Sequence, residues 1–376
     1  MRIRKLLRVR FVVDPFTEQE KIMAELTPMM QKYMETKEQY KDCILFYRLG
    51  DFYEMFFDDA LVASKELEIT LTGKSCGLEE RAPMCGIPYH AVEGYLSKLV
   101  SRGYKVAICE QVEDPKLAKG LVKREVIRVV TPGTNLNVQS LEAGKNNYLL
   151  SIAYTPDGIG ISAADVTTGD YYVTEVEDLK KLNDELMKYE PSEIICNEAF
   201  LVSGFDVNDL KSRLHISVNA LESHMFDDDG CRRILMKHFK VNTLIGLGVE
   251  EFPTGLLAAG ALLQYLYDTQ KTDLEHFTHI YPYLTSKYML LDSSTRRNLE
   301  LTETLREKQK RGSLLWVLDK TKTAMGARLL RNYIEQPLIE KDEMEKRLDA
   351  IQELNQDSIS RDEIRLSLIH ISEPTR

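Results

Sequence analysis

The feature that most constrains this chain is a change of hydrophobic period along its length. Up to about residue 130, apolar residues recur at strand spacing and helical spacing in turn. Three short strand-like runs follow between residues 148 and 176, and from about Leu256 the strand signals vanish. A period of two buries one face of a sheet and a period near 3.6 buries one face of a helix, so the pattern calls for an α+β unit, an α/β unit and then an all-helical one. With 376 residues, 43% of them apolar, the chain is long enough for two or three separate cores.

Within the first unit, Pro28 sits at N1 behind the cap Thr27 and opens a helix through Met34 and Lys37. The apolar and aromatic run 44–49, ended by Gly50-Asp51, reads as a buried strand. Asp51 then suits an N-cap. Phe52, Phe56, Ala60, Ala63 and Leu67 recur at three and four residues, which predicts a helix beginning at Phe52, with Asp51 and Glu54 as a capping-box-like pair and both phenylalanines facing the core. Residues 92–100 repeat the helical period, and 105–110 and 126–130 read as strands of the same small sheet. The turn-rich stretch 131–146 is a linker candidate. Beyond it, 148–154, 158–165 and 170–176 read as strands of two successive hairpins, with a further strand at 193–196. Helices are predicted over 256–268, 295–308, 313–319, 323–334 and 341–354.

A net charge of −10 excludes a uniformly basic surface, so any nucleic-acid contact must come from a local patch. One basic cluster stands between Pro115 and Arg128, where Lys116, Lys119, Lys123, Arg124 and Arg128 face a single acid, Glu125. The six cysteines lack paired spacing, which points to reduced, mostly buried thiols and gives zinc no support. His90 reads as a hydrogen-bonded structural residue. Gly73-Lys74-Ser75 resembles the end of a phosphate-binding loop, but Glu68 stands where the first glycine must be, so no nucleotide site is expected there. No stretch approaches the length of a membrane span. Residues 1–22 read as a non-native lead before Met23, and 366–376 as an adapter-derived tail, so both lie outside the fold argument.

The residues 45–56 (LFYRLGDFYEMF), 84–96 (MCGIPYHAVEGYL), 107–115 (AICEQVEDP), 129–134 (VVTPGT) and 291–301 (LDSSTRRNLEL) together resemble the MutS mismatch-repair family. The resemblance runs from about Met23 to Asp357. It implies a multidomain α/β architecture: a small α+β mismatch-recognition domain over 23–134, a linker over 135–147, a ribonuclease-H-like α/β connector over 148–275 and the start of an all-α core over 276–365. It maps the family's Phe-x-Glu mismatch reader onto Phe52 and Glu54, and makes Lys74, Lys119, Lys123 and Arg128 candidates for backbone contacts with DNA. Phe52 would stack on a displaced base while Glu54, protonated in the bound state, hydrogen-bonds it. The resemblance further implies mismatched double-stranded DNA as ligand, and a homodimer and a MutL-type partner for the full-length protein, in the bacterial cytoplasm at the nucleoid. ATP and Mg would belong to a C-terminal ATPase domain that these residues do not include, so the part present is expected to hold no cofactor, no metal and no catalytic residue. Two other readings stay open: a ribonuclease-H-like nuclease acting through Asp165, Asp170 and Glu175, and a protein-protein module without DNA specificity.

Overall fold

The computed structural model describes residues 25–113, 120, 122–136 and 144–372. They form two compact units that divide between Val130 and Thr131.

The first unit is built on one six-stranded sheet. Its strands are β1 (Cys43–Leu49), β2 (Phe52–Phe56), β3 (Thr72–Lys74), β4 (Ala82–Pro88), β5 (Lys105–Gln111) and β6 (Arg124–Val130), in the spatial order β3-β4-β2-β1-β5-β6. Only the β1–β5 pair is parallel. Helix α1 (Pro28–Gln39) covers one face, where Met30 and Tyr33 join Leu45, Tyr47, Phe56 and Ala107 in one core. Helices α2 (Phe57–Leu67) and α3 (Val92–Val100) cover the other, packing Ala60, Ala63, Leu96 and Leu99 on Phe46, Tyr53, Met55 and Ile108. Each large side chain so enclosed contributes roughly 1.5–3 kcal/mol by leaving water. A buried carboxylate ties the layers together. Asp59 on α2 accepts the Leu45 amide at 2.9 Å and the Tyr33 hydroxyl at 3.2 Å, and pairs with Lys37 at 2.9 Å. Burial pushes its pKa up against the pull of Lys37.

Here the helix predicted from Phe52 gives way to two elements. Residues Phe52–Phe56 are a strand, and the helix begins only at Phe57, where the chain turns with φ +53°. Asp51 is therefore no N-cap; with Gly50 it forms the two-residue loop of a hairpin in which Leu49 pairs with Phe52. Gly50 has φ +60°, the positive value that the first position of a tight II′-type loop requires and that glycine adopts without strain.

The second unit carries a mixed sheet of the kind expected of a ribonuclease-H-like domain. An antiparallel meander β7 (Leu149–Thr155), β8 (Gly158–Asp165) and β9 (Asp170–Val176) is extended by parallel β10 (Glu193–Cys196) and β11 (Ser217–Ala220), in the order β11-β10-β7-β8-β9-β12. The edge strand β12 (Tyr281–Pro282) is two residues long and has no periodic signal in sequence. Helix α4 (Leu179–Tyr189) packs on one face. Helices α5 (Asp228–Phe239) and α6 (Pro253–Gln270) pack on the other, and α6 is buried on nearly all sides. It lies so close to β8 that a Cβ on Gly160 would stand 2.0 Å from the Thr254 carbonyl oxygen, so only glycine fits there.

The stretch expected as a linker starts differently. Thr131–Thr134 forms a capping box whose two threonines are fully buried in the second unit, while residues 137–143 lie outside the described residues. Toward the C-terminus the helices are Ser293–Asn298, Leu314–Leu318, Ala324–Glu335, Lys341–Gln356 and Ser358–Ser372. The helix predicted over 295–308 stops early, because Glu300, just past its C-cap Leu299, turns into the left-handed region and breaks the hydrogen-bond ladder.

Candidate nucleic-acid interface

The β1–β2 hairpin places the sequence-predicted pair side by side. Side chains on a strand alternate, so Phe52, Glu54 and Phe56 share one face while Tyr53 and Met55 enter the core beneath α2 and α3. Helix α1 covers only the Phe56 end of that face. Phe56 is 1% exposed and meets Tyr33 edge-on at 5.0 Å, whereas Phe52, at the loop end of the same strand, is 47% exposed. Of the two phenylalanines expected in the core, one is buried and the other stands in solvent.

The loop that carries Phe52 is fixed from both sides. Arg48 donates from Nε to the Gly50 carbonyl at 2.5 Å, and the Tyr89 amide donates to the Asp51 carbonyl at 3.0 Å. The Arg48 guanidinium also lies 3.8 Å from the Tyr89 ring centroid and 3.3 Å from Glu110. Arg124 donates to the Arg48 carbonyl at 2.7 Å and covers the Tyr47 ring. Arg48, Tyr89 and Glu110 escaped the sequence reading, and Arg124 entered it only as part of the basic cluster. An arginine two residues before a Gly-Asp loop was the available signal.

Glu54 is half-buried and paired. Its Oε2 lies 2.5 Å from Lys74 Nζ, with 17% of the glutamate and 34% of the lysine side chain exposed. Lys74 stands on β3, two strands away, in register with Ala82 of β4. Its ammonium also lies 5.6 Å from the Phe56 ring centroid. Directly across the hairpin from Glu54 is Tyr47, whose hydroxyl is buried. Burial pushes that phenol up to about 12, with Arg124 opposing. On the other side Glu54 pairs with Gly86, where a Cβ would approach Glu54 Cγ to 3.6 Å and the Phe52 ring to 3.9 Å.

The remaining predicted basic residues are not gathered with this pair. Arg128 is half-buried opposite Ile108, on the sheet face that α2 and α3 cover; burial lowers its pKa and Glu93 opposes this. Lys123 is exposed and paired with Glu125 at 2.6 Å. Lys116 and Lys119 lie outside the described residues. The basic cluster read from sequence is thus partly consumed by internal contacts.

The carboxylates that suggested a nuclease are held by the fold. Asp165 accepts bonds from Asn146, from the Asn147 amide and from the Thr167 amide and hydroxyl, at 2.6–3.0 Å. Asp170 accepts from Asn146 and Thr168, and Glu175 caps α6 by accepting the amides of Thr254 and Gly255 at 2.5 and 2.8 Å. Among the described residues no group of three or more His, Cys, Asp or Glu side chains is placed to hold a metal ion. Gly73 and Lys74 belong to a paired strand, not a phosphate-binding loop. His90, expected as a hydrogen-bonded structural residue, is exposed with its ring edge-on to Tyr89 at 5.8 Å. All six cysteines are free and buried.

Comparison with known proteins gives three family matches in chain order. Residues 27–139 match MutS domain I, 147–278 match MutS domain II and 294–373 match MutS domain III, which together take in most of the chain. Three similar relatives are each called DNA mismatch repair protein MutS. That of Lachnoclostridium phytofermentans is 68% identical over 93% of this chain and 37% of its own length. Those of Ruminiclostridium cellulolyticum and Acetivibrio thermocellus are 54% and 53% identical over 91% of this chain, and 39% of their own lengths. The chain therefore spans less than two fifths of each of these relatives.

Proposed function

The chain belongs to the MutS family, and from that premise we propose that its first unit recognises mispaired or unpaired bases in duplex DNA through Phe52 and Glu54. The observation that carries the reading is the exposed Phe52 ring, standing at the end of a hairpin whose loop carbonyls are pinned by Arg48 and Tyr89. A ring pushed into a base step from the minor groove must unstack it and kink the duplex, at a cost of a few kcal/mol per step. A mispaired step has already lost part of its stacking and pairing, so it yields at lower cost, and selectivity follows from deformability. A wedge does this only if it is held rigidly. Glu54, on the same face, would hydrogen-bond the base that the ring displaces.

The rest of the family's activity is proposed for the whole protein. The second unit would connect the recognition unit to the helical part. ATP with Mg, a homodimer that clamps DNA, and signalling to a MutL-type factor in the cytoplasm would need residues beyond these. Among the described residues no helix is long and apolar enough to cross a membrane. No observation favours the nuclease reading, given the satisfied carboxylates.

The test is fluorescence anisotropy of the chain on labelled G·T and matched duplexes at low salt. Base–aromatic stacking is worth about 1–3 kcal/mol, so Phe52→Ala should lower the G·T preference by about tenfold. Unchanged discrimination in Phe52→Ala and Glu54→Gln would refute the assignment, and a parent chain with no mismatch preference at any salt would leave the protein-protein reading standing instead.

A further inference from the structure

We infer that Lys74 acts as a positioning residue for Glu54, clamping the carboxylate and cancelling its charge on the face that meets DNA, instead of gripping a phosphate. The inference rests on the reading of Phe52 and Glu54 given above. The Lys74 ammonium is engaged from within the protein on two sides, by Glu54 Oε2 at 2.5 Å and by the Phe56 ring at 5.6 Å. Phe56 is itself locked against Tyr33, so the cation has a fixed seat. The lysine stem starts on β3, and β4 lies between it and β2, so the side chain reaches across β4 to place its ammonium beside Glu54.

The electrostatic consequence is direct. Duplex DNA carries one negative charge per roughly 1.7 Å of axis, so an isolated carboxylate brought to a groove is repelled whichever base lies there. Glu54 needs its charge cancelled to approach, and the fold supplies an ammonium where the sequence reading expected a proton. The clamp also removes rotamer freedom from a side chain that must meet one base atom, and a pre-ordered partner loses less entropy on binding. Lysine at position 74 thus affects DNA binding through Glu54, and its effect should disappear when Glu54 has no charge.

A double-mutant cycle separates this from a phosphate contact. The full chain and its Lys74→Met, Glu54→Gln and doubly substituted variants are titrated on G·T and matched duplexes, with Lys74→Arg as the charge-keeping variant and thermal melts as the folding control. We expect Lys74→Met to weaken binding to both duplexes by about fivefold and to narrow the G·T preference, because it leaves a partly desolvated charge unpaired. In the Glu54→Gln background the same change should cost less than about twofold, since non-additivity marks residues that act through one another. Lys74→Arg should keep the preference. Equal losses in both backgrounds, with an unchanged preference and a salt slope reduced by about one, would make Lys74 a phosphate contact and overturn the inference. If Phe52→Ala and Glu54→Gln leave discrimination intact, it is the reading of the site that fails, independently of the cycle. A chain that binds neither duplex at low salt overturns both.

Discussion

Glu193 is a buried carboxyl group that ties distant parts of the second unit together. It is fully buried at the start of β10. Its Oε2 accepts the Thr131 hydroxyl at 2.5 Å and the Gly133 amide at 3.1 Å, and its Oε1 accepts Asn219 Nδ2 at 3.0 Å and the Tyr265 hydroxyl at 2.8 Å. Glu193→Ala removes all four acceptor contacts. The Thr131 hydroxyl retains Thr134 at 2.9 Å, but the Gly133 amide and one Asn219 N–H are stranded. A buried donor and a half-buried one left unpaired cost about 1–3 kcal/mol each, and the vacated volume adds to that, so the loss should be about 4 kcal/mol. Glu193→Gln keeps the shape and one oxygen. Placed toward Gly133, that oxygen preserves the amide bond, while the new NH2 faces a hydroxyl that can rotate to accept and an Asn219 amide that can flip, for a cost of about 1 kcal/mol. Urea unfolding followed by far-UV circular dichroism reads both. An alanine variant within about 1 kcal/mol of the parent, or a glutamine variant as damaged as the alanine one, would refute the reasoning.

Two further outcomes follow from burial. Phe56→Ala should cost about 3–4 kcal/mol and Phe52→Ala less than about 1 kcal/mol, although the two lie on one strand, because only Phe56 is enclosed; similar melting temperatures for the two variants would contradict the alternation of β2. Burial pushes the thiols of Cys43, Cys85, Cys109, Cys196 and Cys231 up to about 12. Because all six cysteines are enclosed and the thiolate is the reactive form, a chromogenic disulfide at pH 8 should find no fast-reacting cysteine until urea exposes them, and a rapid native phase would speak against this packing.

Much of the fold was legible where a strong period met clear punctuation. The helix over 92–100, the strand over 193–196 and the three strands of the meander stand where the pattern put them. What escaped depends on contacts distant in sequence. Nothing near Glu193 announces Thr131, Tyr265 or Asn219, and β12 is held by its pairing with β9 and not by its own two residues. The basic cluster looked free because the Arg48 carbonyl that takes Arg124, and the sheet face that half-buries Arg128, are named only by the folded sheet.

The error at Phe52 has a more exact cause, and resolving it changes what the site can do. Residues four apart share a face on a helix and on a strand alike, so Phe52 and Phe56 could not decide between the two, and the real helix beyond them lent its period to the stretch. The Gly-Asp loop between two apolar runs was the arbitrating signal. Phe52 and Glu54, however, are two apart. On a helix such residues point about 200° away from one another, so a ring and an acid at that spacing could never address the same base step. On a strand they point the same way, about 6.6 Å apart along the chain, roughly two base-pair rises of about 3.4 Å. The Phe-x-Glu spacing would suit the proposed mismatch probe because this segment is β2, and the same argument carries Lys74, since only a sheet brings an ammonium from two strands away to the carboxylate.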